Sequence, residues 1–129
     1  MRFKIDTSEK YHVITILETA FSANMTEEAQ NLLLPYLEQP VRNLIVNLQD
    51  IEKVEDAAAA LLINIQQTFY EQGASFVVCG LQPSVQKDLE GTDGYTELNT
   101  VPTLSEAWDI VQMEEIERDL MGEEEEPHN

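Results

Sequence analysis

The chain is poor in several things, and each shortage removes a class of protein. It has a single cysteine, Cys79, so no intramolecular disulfide can hold it together. Its longest unbroken apolar run, Ala57 to Ile63, falls far short of the roughly 20 residues a membrane-crossing helix needs. The start of the chain, Met1-Arg2-Phe3-Lys4-Ile5-Asp6, alternates apolar and polar residues and lacks the hydrophobic centre of a secretory signal. No membrane insertion and a cytoplasmic location are therefore expected. Glycine is scarce, and Gly73, Gly80, Gly91 and Gly94 are too scattered to form a phosphate-cradling loop. The two histidines, His12 and His128, lie far apart, and no Cys/His spacing suits a metal. No cofactor is expected.

Positive charge is scarcest of all. Seven Lys and Arg face 25 Asp and Glu, for a net charge of −18. Such a field opposes phosphate backbones, so nucleic acid is not an expected partner. Residues 114–129 hold eight acids against one arginine, a net of −7, leaving −11 for residues 1–113. A negative surface suits a partner with a basic face, although acidity also serves solubility alone.

What is present fits one domain: 129 residues, 43% of them hydrophobic. Phe3 to Asp6 and Tyr11 to Leu17 read as a hairpin of two strands. Asn24 and Glu27 have capping-box spacing before a helix carrying Ala29, Leu32, Leu33, Tyr36 and Leu37, which Pro35 should kink or end early. Leu44 to Leu48 reads as a buried third strand. Asp56 opens a second helix with Ala58, Leu61, Leu62, Ile65 and Phe69 on one stripe and Gly73 at its end. Ser75 to Gly80 is another buried strand, and Pro83 starts a short helix. A short strand is expected near Leu98 to Val101. Thr103 to Glu106 is a capping box for a last helix whose apolar stripe is Leu104, Ala107, Trp108 and Val111, extending through Met113, Ile116 and Leu120. The alternation predicts an α/β fold, a mixed sheet of four to five strands with about four helices packed on it.

The stretch from Asn43 to Val85 resembles the core of a STAS domain, the module of anti-sigma factor antagonists and of sulphate transporters. The phrase Asn47-Leu48-Gln49-Asp50-Ile51 is similar to that family's third strand and following turn. The family then places an acidic residue, a phosphorylatable serine, a second hydroxyl residue and Gly-Leu-Gly. This chain has Glu55-Asp56-Ala57-Ala58-Ala59-Ala60. The resemblance implies a non-catalytic regulatory module of bacterial signalling or transcription control, with residues 1–113 as the STAS domain and 114–129 as a helix extension and acidic disordered tail. It implies a protein partner, an anti-sigma factor or kinase-like regulator, and leaves homodimerisation open.

Asp56 falls at the phosphoacceptor-equivalent position, where it offers no hydroxyl. Its one negative charge mimics phosphoserine only in part, and its more ordinary role is to cap the helix. The resemblance puts partner binding on Ile51, Glu55, Asp56, Ala57, Ala59, Ala60 and Ile63. Helical spacing also sets Ile63 and Tyr70 away from the main apolar stripe, as a candidate docking face. Two alternatives stand beside this reading: a structural STAS subunit of a transporter ATPase or signalling scaffold, and a small thiol enzyme using Cys79. The apolar company of Cys79, Phe76-Val77-Val78, favours an inert buried thiol.

Overall fold

A computed structural model describes residues 1–125, with side chains through Met121. β1 (Phe3–Thr7) and β2 (His12–Ile16) form the expected hairpin. A two-residue strand, β3 (Ala20–Phe21), follows. A 3-10 turn leads into α1 (Thr26–Leu33), and the chain tightens into a second 3-10 turn at Leu34–Glu38. Pro35 accounts for that change, because it has no N–H to continue the α-helical ladder and its ring crowds the carbonyl four residues back. The expected cap at Asn24 does not form. Its carboxamide oxygen accepts the Ser22 hydroxyl, and the α-helix starts one residue later than the capping-box spacing suggested.

β4 (Leu44–Asn47), β5 (Lys53–Val54), α2 (Asp56–Glu71), β6 (Phe76–Cys79), α3 (Pro83–Glu90), β7 (Thr100–Val101) and α4 (Leu104–Glu125) complete the chain. The main sheet has the order β1-β2-β4-β6-β7. β1 runs antiparallel to β2, and the remaining pairs are parallel. β3 and β5 make a separate parallel pair, which the sequence pattern did not suggest. Two-residue strands are too short to show a period of two.

Alternation along the strands builds two layers. Ile14, Ile16, Leu44, Val46, Phe76 and Val78 face α1, α2 and α3 in the larger core. Val13, Ile45, Val77 and Cys79 face α4 on the other side, where Ala107 and Val111 bury completely. Strands covered on both faces must be apolar throughout, as β4 and β6 nearly are. Of the stripe expected for the last helix, only Ala107 and Val111 are buried, while Leu104, Trp108, Met113, Ile116 and Leu120 remain exposed. The sheet is too narrow to cover a helix of this length. α4 also continues through Glu123–Glu125, which the charge run had suggested would be tail; residues 126–129 lie outside the described residues.

A polar cluster fastens α4 to the start of the parallel strands. The Asn43 side chain donates to the Lys10 carbonyl at 3.0 Å and to Glu115 at 2.9 Å, and its oxygen accepts the Ser75 amide at 2.9 Å. Arg118 reaches the same oxygen at 3.3 Å and the Ser75 hydroxyl at 3.1 Å. At the other end of the helix, the Thr103 hydroxyl accepts the Glu106 amide at 3.2 Å, one half of the expected capping box.

Candidate functional site at the start of the second helix

The C-terminal ends of β4 and β6 deliver the chain to one end of the molecule, where residues 48–56 turn into α2. This is where α/β folds commonly present function, because loops there sit on a rigid sheet. The turn is tied on several sides. The Leu48 amide donates to the Cys79 carbonyl at 2.9 Å, and the Glu52 amide to the Thr19 carbonyl at 2.7 Å. Asp88 of α3 accepts the Val54 amide at 3.0 Å, Ser84 donates to the Glu52 carbonyl at 2.7 Å, and Gln82 donates to the Gln49 carbonyl at 3.0 Å. A loop with its backbone groups paired in this way is a preorganised surface.

Glu55, not Asp56, occupies the N-cap. Its backbone is extended (φ −76°, ψ 157°), because its amide continues the small sheet by donating to the Phe21 carbonyl at 2.9 Å. The helix can begin only after that bond, so Asp56 is its first residue. The Glu55 carboxylate makes no capping bond and instead accepts the Ala23 amide at 2.6 Å, tying α2 to the turn before α1. Asp56 is exposed, and no hydrogen bond engages its carboxylate among the described residues. It acts on α2 only as a negative charge at the positive end of the helix dipole.

The residues assigned to partner binding separate into two groups. Glu55, Asp56, Ala57 and Ala60 are exposed and lie together on the first turns of α2. Ile51 and Ala59 are completely buried, and Ile63 is 5% exposed, so these three support the surface from below and cannot touch a docked protein. The docking face drawn through Ile63 is thereby corrected. The segment after α3 covers this side of the helix: a Cβ built on Gly94 would stand 3.3 Å from Ile63 Cγ2. Tyr70, two turns along the helix from Ile63, is 79% exposed. Nothing local in α2 marks Ile63 as covered, since the covering segment lies thirty residues away in sequence.

Cys79 does not fit the thiol-enzyme alternative. It is completely buried, and desolvation pushes its thiol up to about 11 from 9.0, so the nucleophilic thiolate is suppressed. His12 is likewise engaged. Its Nε2–H donates to the Val41 carbonyl at 3.1 Å, which leaves Nδ1 to the Thr7 hydroxyl at 3.0 Å, and its ring packs on Tyr36. No group of three or more His, Cys, Asp or Glu among the described residues could hold a metal ion. No helix among them is long and apolar enough to cross a membrane.

A mixed sheet with three helices on one face and one on the other is an α/β sandwich of the kind that STAS domains adopt. The family model described as STAS domain matches residues 4–107, and the chain belongs to that family. No curated protein sequence matches. Among solved structures, a serine-to-glutamate variant of RsbS from Moorella thermoacetica is 22% identical with a TM-score of 0.70, over 87% of this chain and 96% of that one. The unphosphorylated form of the anti-sigma factor antagonist SpoIIAA is 14% identical with a TM-score of 0.68, over 86% and 96%. A component of the stressosome, described as a signal integration and transduction hub, is 24% identical with a TM-score of 0.61, over 84% and 96%. At these identities the likeness is one of fold.

Proposed function

We propose that this STAS domain is a non-catalytic, cytoplasmic regulatory module of the anti-sigma factor antagonist type, which docks a protein partner through Glu55, Asp56, Ala57 and Ala60. The observation that carries this reading is the start of α2. Small side chains and two carboxylates stand exposed there on a loop held by hydrogen bonds from three neighbouring elements. Ala57 and Ala60 allow a partner's backbone to come close, and the carboxylates favour a basic patch opposite. Neither nucleic acid nor membrane insertion enters the reading. Serine phosphorylation at the usual position does not control it, because Asp56 carries no hydroxyl and holds a constant negative charge.

A structural role in a larger signalling assembly is the second reading. The exposed apolar residues of α4 favour it, since a monomeric switch gains nothing from them. Affinity capture from native cytoplasm with wild type, Ala60→Arg and Asp56→Ser tests the pair. Recovery of a kinase-like anti-sigma factor by wild type but not by Ala60→Arg supports the switch. A stoichiometric complex that Ala60→Arg leaves intact favours the assembly subunit.

A further inference from the structure

Beyond Val111, the inner side of α4 stays tied to the start of the parallel strands through Glu115 and Arg118, while its outer side keeps apolar side chains. Met113, Ile116 and Leu120 are 54–59% exposed, and their spacing of three and four residues places them on one seam, as in a helix that packs against another helix. Acids surround the seam: Asp109 precedes it, Glu117 lies on one flank and Asp119 on the other. Arg118, the lone cation of α4, is turned inward onto Ser75 and Asn43. This part of the helix is therefore apolar in the middle and negative at its rim.

A second copy of the chain is a poor match. It would bring the same acids against these, and like charges facing one another across an interface oppose its formation. We propose that the seam of Met113, Ile116 and Leu120 docks an amphipathic helix of a protein partner whose apolar stripe is flanked by Lys and Arg. Apolar contact would seat such a helix, and its cations would meet Glu117 and Asp119. The inference shares with the functional reading only the premise of a protein partner and uses a different surface from the start of α2.

The test is titration of the full chain with an 18-residue peptide of leucine and lysine patterned as an amphipathic helix, beside a scrambled peptide of identical composition. The expected result is saturable binding of the patterned peptide, weakened at least tenfold by Ile116→Asp and by Leu120→Ser. Ile5→Ser on β1 and Ala60→Arg on α2 leave the affinity unchanged. Hydrogen exchange should show protection confined to α4. Equal binding of the scrambled peptide, unchanged affinity in Ile116→Asp, or protection elsewhere would overturn the proposal. So would a wild-type dimer in sedimentation that Ile116→Asp dissolves, which would make the occupant a second copy. Because the control variant Ala60→Arg addresses the α2 surface, loss of partner capture there with normal peptide binding separates failure of one reading from failure of the other.

Discussion

Gly80, at the end of β6, packs directly against the side chain of Asn47, at the end of β4: a Cβ on Gly80 would overlap Asn47 Oδ1 and stand 3.1 Å from the Gln49 amide nitrogen. Gly80 also has φ +74°, a conformation that side chains disfavour. Asn47 uses the space to accept the Gln49 amide at 3.2 Å, which starts the turn toward α2. Gly80→Ala is expected to cost about 3 kcal/mol, from backbone strain together with the overlap. Chemical denaturation should show this loss, and Gly80→Ala should cost less when introduced into Asn47→Ala than into wild type, by the part due to overlap with the Asn47 side chain.

Ile63 and Asp56 are seven residues apart on one helix and should respond oppositely to substitution. Ile63→Asp places an unpaired charge under the segment around Gly94, an effect of about 4 kcal/mol or more, which is a large fraction of an ordinary domain's stability. Asp56→Ser changes an exposed side chain and should shift stability by about 0.5 kcal/mol. Thermal melts followed by circular dichroism distinguish the two, and an Ile63→Asp variant that melts at the wild-type temperature would contradict the burial described.

Cys79 makes stability depend on alkaline pH. Its folded thiol titrates at about 11 against 9.0 when unburied, so the stabilisation is fully present below pH 9. It is lost as pH rises toward about 11, because the unfolded chain releases the proton first. The expected slope is about 1.4 kcal/mol per pH unit within that window. Denaturation midpoints at pH 8, 9 and 10 should fall more steeply for wild type than for Cys79→Ala. Parallel slopes would mean that the thiol reaches water.

Asn43 and Thr103 hold the two ends of the packed part of α4. Asn43→Ala leaves the Ser75 amide and Arg118 without their shared acceptor and should cost about 2 kcal/mol. Thr103→Ala removes one cap and should cost about 1 kcal/mol. Hydrogen exchange resolves the cases: Asn43→Ala loosens α4 near Glu115, Thr103→Ala near Glu106.

The strands and helices were largely legible because each has a local cause. Alternating residues made β1 and β2 a hairpin, Pro35 ended α1, and Gly73 (φ +70°) closed α2 where its conformation permits a left-handed turn. The stretch proposed as the site came from the resemblance of Asn47 to Ala60 to the STAS pattern, and its exposed surface was not legible. Glu55 took the cap because β3 and β5, too short to read, hold its amide.

The sequence by itself determined the order of the main strands and helices, the apolar character of the two central strands, the absence of a phosphate-binding glycine loop and the concentration of acid toward the end of the chain. These follow from periodicity, turn chemistry and charge, which act over a few residues. Only the tertiary structure decided that Ile63 lies under the segment around Gly94, that Tyr70 escapes that cover, that Arg118 turns inward, and that Met113, Ile116 and Leu120 face outward. Helical spacing shows which side chains share a face. Whether that face is covered depends on segments distant in sequence and on how far the sheet extends beneath the helix.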